Sequence, residues 1–281
     1  MGEWLGFPPC WVMTELSDAL AWDAFVSELD RWAAAGHTAT FWWRDDDAGR
    51  PDPALDRLLR LAATTAAPLA LAVVPAWLTP EVGAALRDAP PAVAVLQHGW
   101  AHANHETAPP PGERKVRPAE CGSARPPATV LAELAAGGSR LRASLGERVL
   151  PVLVPPWNRI APAVRAGLPA LGYRVLSVFG PRAGGPAVPG LGALNCHADP
   201  VLWREGKAFT GAAATLERLR GHLAGRREGR ADPDEPTGLL THHRDMTPAF
   251  WEFLEEWLRR LRRHPAAALP AIPLLDSRPV S

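Results

Sequence analysis

Apolar residues along the chain fall into short runs of strand-like composition, and these runs alternate with longer amphipathic segments. Such alternation predicts βα units arranged around a parallel sheet. The seven predicted strands cover residues 38–44, 68–75, 92–97, 149–154, 174–179, 191–196 and 237–242. The helical patterns cover residues 53–63, 80–88, 127–145, 160–171, 212–227 and 248–263.

The length of 281 residues suits one α/β barrel, since such barrels run to roughly 250 residues. The Pro- and Gly-rich pieces 106–126 and 180–191 lie between predicted elements, so we interpret them as loops of a single domain. We expect an N-terminal extension and leading helix over residues 1–37, the barrel over 38–264 and a C-terminal tail over 265–281.

Polar side chains gather where the predicted strands end. Taken alone, three consecutive aspartates usually form a solvated turn, and two histidines four residues apart are more often a surface pair than a metal site. The carboxyl ends of parallel barrel strands, however, all lie on one face, and that face holds the active site. Their shared position therefore predicts one functional site, built from RDDD at 44–47, HGWAH at 98–102, PPWNR at 155–159, HAD at 197–199 and HH at 242–243.

The residue types at these strand ends are those of a metal site. We expect a helical turn to place His98 and His102 on one face, because residues i and i+4 are neighbours on a helix. Two imidazoles and one carboxylate suit a divalent transition metal that keeps positions open for water and substrate. One of Asp45, Asp46 and Asp47 is then the third ligand, and a second can serve as general base towards a water that the cation acidifies.

Charge and cysteine content exclude several other classes of function. Lys+Arg and Asp+Glu number 30 each, so no overall charge favours nucleic acid or an anionic membrane as a partner. The three cysteines, Cys10, Cys121 and Cys196, form neither a CxxC pair nor a disulfide framework. The amino terminus has no signal-peptide pattern, and no apolar run is long enough to span a bilayer. We therefore expect a cytoplasmic protein.

The segments RDDDAG, HGWAH, VPPWN, DPVLW and LLTHH, in this order, resemble the motifs of the polysaccharide deacetylases of carbohydrate esterase family 4, the NodB-like group. The resemblance covers residues 38 to 260. It implies a distorted (β/α)7, TIM-like barrel and metal-dependent hydrolysis of an N-acetyl or related acyl group on a sugar or sugar conjugate. The implied cofactor is a divalent metal, with Zn²⁺ as the first choice, and the implied partner is an acylated amino sugar.

The resemblance also implies roles for individual residues. The family's first motif is a base followed by a metal ligand, which we assign to Asp46 and Asp47, with Asp45 as the fallback. Side-chain alternation at a strand end would make Asp45 and Asp47 point alike, so a shift of one residue would exchange the roles. The second motif makes His98 and His102 the other ligands.

The later motifs imply the remaining catalytic groups. The general acid for the leaving amine falls at His242, and the neighbouring His243 stays open as an alternative. The backbone N–H of Trp157 would help to hold the tetrahedral oxyanion. Asp199 and Trp203 match the motif of an acid near a tryptophan.

The third motif departs from the family pattern. Pro156 and Trp157 match it, but Val154 stands where the family has an arginine. That arginine would orient the catalytic acid. We expect either Arg159 or Arg44 to replace it, or the activity to be altered.

Further residues are assigned to substrate contact. Trp100 stands between the two ligand histidines and could stack on a sugar ring. The loop from Gly112 to Pro126, which includes Glu120, is interpreted as a mobile surface loop over the barrel mouth. The full set assigned to substrate contact is Trp100, His105, Pro156, Asn158, Arg159, Trp203 and His243.

Two other functions stay open. Two histidines and one carboxylate also bind the metal of non-haem iron oxygenases, although those sites usually lie on antiparallel barrels. The replacement at Val154 favours a catalytically altered barrel that binds carbohydrate without hydrolysing it. Analogy of fold alone does not choose between them.

Overall fold

The computed structural model describes residues 10–109, 112–182 and 188–272. Of residues 10–16 it describes the backbone alone. In chain order the elements are α1 (Cys10–Ala34), β1 (Ala39–Ala48), α2 (Pro53–Thr65), β2 (Leu69–Val73), α3 (Pro80–Asp88), β3 (Val93–His98), α4 (Pro127–Leu145), β4 (Val149–Val154), α5 (Pro162–Gly167), β5 (Val175–Leu176), β6 (Gly192–Ala193), β7 (Val201–Leu202), β8 (Ala208–Phe209), α6 (Ala212–Arg227), β9 (Thr237–Thr241), α7 (Pro248–Arg263) and β10 (Ala267–Ala268).

The strands form a curled parallel sheet in the order β10-β1-β2-β3-β4-β5-β6, with β9 also paired to β1. A single parallel bridge between Ala198 and Leu239 joins the chain after β6 to β9. This closes the curl, so the prediction of a distorted α/β barrel is confirmed. All seven predicted strands are present, although β5 and β6 are only two residues long. The short hairpin of β7 and β8 was not predicted.

Helix boundaries follow the local capping signals. The side chain of Asp52 accepts a hydrogen bond from the backbone N–H of Ala54 and so caps α2. Thr79 caps α3 and Thr247 caps α7 in the same way, each directly before a proline at the first helical position. These caps explain why the predicted starts of α2, α3 and α7 agree with the structure.

Two buried layers lie on opposite faces of β1, because successive strand residues point to opposite sides. Phe41 and Trp43 belong to the layer between the sheet and the outer helices, where the Trp257 ring packs edge-on against Phe41. Trp42 belongs to the barrel interior. Arg44 continues on the interior face of β1, so the barrel interior becomes polar towards the carboxyl end of the strand.

Residues predicted as flanking segments pack with the barrel. Phe25 and Leu29 of α1 are fully buried in the same apolar layer as Phe41. Ala267 and Ala268 of β10 pair with the start of β1. Within the described part of the chain, no helix combines the length and apolar character needed to cross a membrane.

Candidate functional site

Three side chains from separate parts of the chain meet at the carboxyl end of the barrel. Asp47 lies near the end of β1, His98 ends β3, and His102 lies in the following loop. Oδ1 of Asp47 is 3.2 Å from Nε2 of His98 and 3.3 Å from Nε2 of His102. One ligand atom from each lies within 4.8 Å of the others. The structure thus brings the three predicted metal ligands together.

The hydrogen bonding of His98 fits a metal ligand. Its Nδ1 is 3.0 Å from the carbonyl oxygen of Val154. A carbonyl can only accept, so Nδ1 carries a hydrogen and donates it. In the neutral ring, Nε2 then presents its lone pair beside Asp47. A backbone carbonyl that orients the ring in this way is the usual partner of a metal-binding histidine.

Local charges also suit a cation at this point. Burial lowers the pKa of His102, and the neighbouring His98 lowers it further, which favours the neutral ring that binds metals. Burial opposes ionisation of Asp47, but His98 outweighs it and holds the pKa of Asp47 well below its ordinary value. Burial likewise disfavours charge on His98, yet Asp46 and Asp47 raise its pKa above the ordinary value. A bound cation would displace that proton.

The loop that carries His102 is not helical, so the prediction of a helical turn is wrong. Gly99 and His102 both have a φ of 55°, which coils the chain into a left-handed conformation at these positions. The loop winds around the buried carboxylate of Glu120. That carboxylate accepts hydrogen bonds from three backbone N–H groups, those of Trp100, Ala101 and Ala103. These groups bond to a distant acid, whereas a helix would bond them to its own carbonyls.

Position 99 accepts only glycine. A Cβ there would lie 2.0 Å from Oε2 of Glu120 and 2.6 Å from Cδ of Pro156, both far inside van der Waals contact. Glu120, which we interpreted as part of a surface loop, is 2 % exposed. That interpretation is corrected: Glu120 is a buried support for the histidine loop. Its position in a Pro-rich polar stretch carried no local signal of this role.

A bulge in β1 gives the consecutive aspartates different surroundings. The backbone of Asp47 has a φ of 72°, and the pairing of β1 with β2 shifts register between Asp45 and Ala48. The regular alternation of side chains between the two faces of a strand ends at such a bulge. Asp45 and Asp47 therefore contact different partners, and the expectation that they point alike is wrong.

Asp45 acts as a buried anchor for β9. Its Oδ2 accepts hydrogen bonds from the hydroxyl of Thr241 at 2.6 Å and from the backbone N–H of His243 at 3.0 Å. Its Oδ1 lies 2.5 Å from Nδ1 of His243. Burial works against a charged His243, but Asp45 raises its pKa above the ordinary value. With both oxygens engaged, Asp45 is poorly placed for the base or ligand role that it held as fallback.

Asp46 is held by Arg44, which lies two residues earlier on the same face of β1. Nη2 of Arg44 donates to Oδ2 of Asp46 at 3.0 Å, and Nε lies 2.9 Å from Oδ1 as an ion-pair contact without good hydrogen-bond alignment. Burial tends to lower the pKa of Arg44, but Asp46 raises it above the ordinary value. Arg44 also donates to Oγ of Ser177 at 2.7 Å and to Oδ1 of Asn158 at 2.8 Å.

These contacts bear on the two arginines named from the sequence as candidates to replace the one missing at Val154. Of the two candidates named from the sequence, Arg44 contacts Asp46 directly. Arg159 instead donates to the carbonyl oxygen of Pro118 at 2.8 Å. Val154 contributes to the site through its backbone, because its carbonyl oxygen accepts a hydrogen bond from His98 and so orients that ring.

The two neighbouring histidines after β9 differ in their surroundings. His243 is 1 % exposed and bonded to Asp45, so its side chain offers a substrate no contact surface and we remove it from that set. The His242 ring packs edge-on against the indole of Trp203, with ring centroids 4.6 Å apart. His242 is also one cause of the lowered pKa of Asp47, which places it near the metal triad.

Asp199 and Trp203, the predicted acid and tryptophan, are linked to His242 by one hydrogen bond and one ring contact. Nε1 of Trp203 donates to Oδ2 of Asp199 at 2.8 Å, and the same indole packs against the His242 ring. Trp203 is 44 % exposed. Asp199 can therefore fix an indole that both orients His242 and offers surface to a ligand.

The segment after β4 has a left-handed backbone at two successive residues, Trp157 with a φ of 57° and Asn158 with a φ of 56°. Such strain is often found where backbone groups are positioned for function. The Trp157 ring contacts the His102 ring, with centroids 4.4 Å apart. Pro156 is buried under Gly99, so among these residues Trp157 and Asn158 lie closest to the site.

Trp100 and His105 lie in the histidine loop and are half-buried. The carbonyl oxygen of Trp100 accepts a hydrogen bond from Ala76, and the backbone N–H of His105 donates to Ala119. Their substrate contacts remain predictions.

A second group of two histidines and one acid, His197, His222 and Glu235, also has ligand atoms within 4.8 Å of one another. It lies at the amino end of β9, away from the metal triad. The backbone N–H of Gly238 donates to Nδ1 of His197 at 2.9 Å, so the hydrogen of this neutral ring is on Nε2, where a metal would need a lone pair. The His197 and His222 rings also stack nearly parallel at 3.4 Å, so their Nε2 atoms do not converge on one ion.

We interpret this second group as a buried ionic cluster. Nε2 of His197 and Nε2 of His222 lie 3.5 and 3.7 Å from the two oxygens of Glu235. Burial opposes ionisation of Glu235, but the two imidazoles and the backbone N–H of Arg182 lower its pKa to about 2. Burial also lowers the pKa of His197. The folded state therefore favours an ionised acid beside a neutral ring.

Replacing Glu235 by Gln is expected to reduce the free energy of unfolding at pH 7 by about 3 kcal/mol, the lower end for a broken buried ionic contact. The amide N–H₂ would face an imidazole N–H donor. The lowered pKa of Glu235 means that its contribution is present above the unfolded-state pKa and is lost as pH falls towards about 2. Urea unfolding at pH 7 and pH 3.5 should therefore show a smaller difference between wild type and variant at the lower pH. Glu217→Gln, an exposed acid paired with Arg220, is the control and should change little.

Comparison with known proteins agrees with this description of the fold. No protein-family model and no curated protein matches the chain. A solved structure of a candidate polysaccharide deacetylase from Mycobacterium smegmatis matches with a TM-score of 0.60 and 16% identity over 86% of this chain and 90% of that one. A CE4 esterase from Streptococcus mutans matches with a TM-score of 0.51 and 16% identity over 83% and 85% of the two chains.

A CE4 family pseudoenzyme from Bacillus anthracis also matches, with a TM-score of 0.50 and 14% identity over 82% of this chain and 63% of that one. Identities this low establish a shared fold and leave the reaction to be argued from the site. The resemblance found in the sequence motifs is confirmed at that level: the chain has the fold of the carbohydrate esterase family 4 proteins.

Proposed function

We propose that this protein is a metal-dependent hydrolase that removes an N-acetyl or related acyl group from a sugar or sugar conjugate. The observation that carries the proposal is the pairing of two arrangements at the barrel mouth. Asp47, His98 and His102 present a carboxylate and two imidazole nitrogens to one point. Directly beside them, a second carboxylate, Asp46, is held by Arg44 and is therefore fixed for proton transfer.

The donor set fits a divalent cation, with Zn²⁺ as the first choice. Asp47, His98 and His102 would hold the cation, which would supply Lewis-acid polarisation of the acyl carbonyl and lower the pKa of water. Both effects favour attack by water on an amide at neutral pH.

The remaining steps belong to side chains of the chain itself. Asp46 would accept a proton from the attacking water, whose oxygen bonds to the acyl carbon. His242 would donate a proton to the sugar nitrogen as the carbon–nitrogen bond breaks, which releases the carboxylic acid and the free amine. The backbone N–H of Trp157 would stabilise the developing oxyanion. The edge-on contact of Trp203 with His242 would orient the general acid.

A carbohydrate-binding barrel without activity is the second candidate, because the fold also includes a pseudoenzyme and because Val154 replaces the expected arginine. The contacts of Arg44 weaken this alternative. Arg44 supplies a guanidinium to Asp46 from β1, whereas the expected arginine would have come from β4. The departure at Val154 therefore does not leave the base unsupported.

The proposal is tested with protein that has been dialysed against a chelator and then reloaded with Zn²⁺. We expect the reloaded protein to bind about one equivalent of Zn²⁺, the number of ions that one such triad holds, and to release acetate from N-acetylated chito-oligosaccharides. The chelator-treated protein should release none. Sugar binding without acetate release by the Zn²⁺-loaded protein would favour the binding module. Oxygen consumption by Fe²⁺-loaded protein would favour the oxygenase.

A further inference from the structure

The guanidinium groups of two arginines lie close to one tryptophan ring beside the metal triad. Cζ of Arg50 lies 4.3 Å from the centroid of the Trp77 ring, and Cζ of Arg244 lies 5.8 Å from it. The Trp77 ring is itself 5.6 Å from the ring of His102, centroid to centroid. A positively charged surface therefore adjoins one of the three predicted ligands.

The three residues come from the carboxyl ends of neighbouring strands. Arg50 follows β1, Trp77 follows β2, and Arg244 follows β9, and both β2 and β9 pair with β1. Arg50 stands three positions after the ligand Asp47, and Arg244 stands two positions after the proposed acid His242. The group is thus part of the rim through which a substrate would approach.

The charges of this group are only partly balanced by acids among the described residues. Among the described residues, Arg50 has no carboxylate partner, and its side chain is exposed. Nε of Arg244 lies 3.4 Å from Oδ2 of Asp52, whose Oδ1 caps α2. Of the two guanidinium groups, only that of Arg244 therefore has a carboxylate within ion-pair distance in the described part of the chain. Two like charges near one indole repel each other, so a bound anion would stabilise both.

The packing of Arg57 on Trp251 provides a comparison for Arg50 on Trp77. Cζ of Arg57 lies 4.5 Å from the Trp251 ring, a distance close to that of Arg50 from Trp77. Arg57, on α2, is paired with Glu255 of α7 at 3.1 Å. Packing of an arginine on an indole is therefore not peculiar to the rim, whereas the unbalanced charge of Arg50 distinguishes the rim from this site.

We propose that Arg50, Trp77 and Arg244 form a subsite for an oxyanion, so that the substrate is an acylated amino sugar that carries a carboxylate or phosphate group. The inference rests on the proposed function and narrows its substrate class. A guanidinium presents paired N–H donors that match the oxygens of either anion. Stacking on Trp77 holds the guanidinium of Arg50 in place before the ligand binds.

The test compares substrates that differ only in charge. Acetate release is measured for tetra-N-acetylchitotetraose, for the same oligosaccharide with C6 oxidised to carboxylate, and for the form phosphorylated at O6. For the wild type at low salt we expect kcat/KM to be about tenfold higher for at least one anionic form than for the neutral one, as for 1.4 kcal/mol of added binding. Which anion is preferred identifies the group. The preference should fall as salt is added.

Variants test whether the preference for an anionic substrate depends on Arg50 and Arg244. Arg50→Met and Arg244→Met should each reduce the ratio of anionic to neutral kcat/KM severalfold, and the double variant should bring it close to one. Arg57→Met is the matched control and should keep the wild-type ratio. A wild-type ratio near one, or a ratio unchanged in the double variant, would overturn the inference.

A binding measurement separates this inference from the proposed function. Calorimetry of the C6-carboxylate and O6-phosphate forms with chelator-treated protein should show about tenfold weaker binding of the preferred form by the double variant than by wild type or Arg57→Met. If no substrate releases acetate while this difference is found, the hydrolase proposal fails and the anion subsite stands. Equal binding by wild type and all variants would show that Arg50 and Arg244 form no anion subsite.

Discussion

Asp46→Asn is expected to lower kcat for acetate release by about a thousandfold, within the range that a positioned general base contributes. The asparagine amide has nearly the shape of the carboxylate and can still contact Arg44, but it cannot accept a proton from water. Asp46 is not one of the three residues whose donor atoms converge. The Zn²⁺ content of the variant after dialysis against a competing chelator should therefore match that of wild type.

Asp47→Asn is the companion variant and should give the opposite pattern. Its side chain would lose the negative charge that faces His98 and His102 at 3.2 and 3.3 Å. Because Asp47 would bind the metal directly, we expect Zn²⁺ affinity to fall by at least about a hundredfold, the upper range for loss of an outer partner of a metal ligand. Activity should then recover partly at high Zn²⁺ concentration, whereas that of Asp46→Asn should not.

Asp45→Asn completes the series as a control for folding. Asp45 bonds to Thr241 and His243 in the buried layer, so its replacement should lower the melting temperature. If instead Asp45→Asn lost Zn²⁺ and Asp47→Asn retained it, the assignment within the three aspartates would be wrong by two residues. Loss of Zn²⁺ in Asp46→Asn, together with retained Zn²⁺ and lost turnover in Asp47→Asn, would exchange the roles of base and ligand.

The fold could be predicted largely from local pattern. Each long strand and helix is an apolar run of the right period, with caps such as Asp52, Thr79 and Thr247 at helix starts. The elements that were missed are those with little local signal. β7, β8 and β10 are two residues long, and their pairing depends on where the rest of the barrel places them.

The candidate site was predictable as a set of residues but not as a geometry. Strand ends on one face of the barrel explain why Asp47 and His98 meet. The coil of the histidine loop depends on Glu120, which is remote along the chain and lies in a stretch with the composition of a surface loop. The separation of Asp45 from Asp47 depends on a bulge, and a run of identical residues contains no information about where alternation ends.

The second histidine group shows why the hydrogen-bonding pattern must be read before a metal site is assigned. His98 and His197 both belong to a group of two histidines and one acid. Nδ1 of His98 faces a carbonyl and must donate, whereas Nδ1 of His197 faces an N–H group and must accept. Opposite tautomers follow, and they leave Nε2 available for a cation in His98 only.

Arg44→Lys is expected to lower kcat about 10- to 100-fold with a smaller change in KM, because a misplacement of about 1 Å in a catalytic group has effects of this size. Lysine keeps the positive charge beside Asp46 but lacks the planar fork that reaches Asp46, Ser177 and Asn158 together. Asp46 would then keep a neighbouring positive charge but lose its fixed orientation. Steady-state kinetics on an N-acetylated chito-oligosaccharide measures the two constants, and Zn²⁺ content should match that of wild type.

Arg159→Lys is the matched control, since Arg159 was the other candidate to replace the missing arginine. Among the described residues its guanidinium hydrogen-bonds to the carbonyl oxygen of Pro118 at 2.8 Å. We expect it to keep kcat within about twofold, as for a partly exposed hydrogen bond to a neutral group. Arg44→Met would leave the buried Asp46 carboxylate unpaired and should reduce the free energy of unfolding by about 3 to 5 kcal/mol. A normal kcat in Arg44→Lys together with a low kcat in Arg159→Lys, with unchanged Zn²⁺ content in both, would contradict the orienting role of Arg44 and favour Arg159.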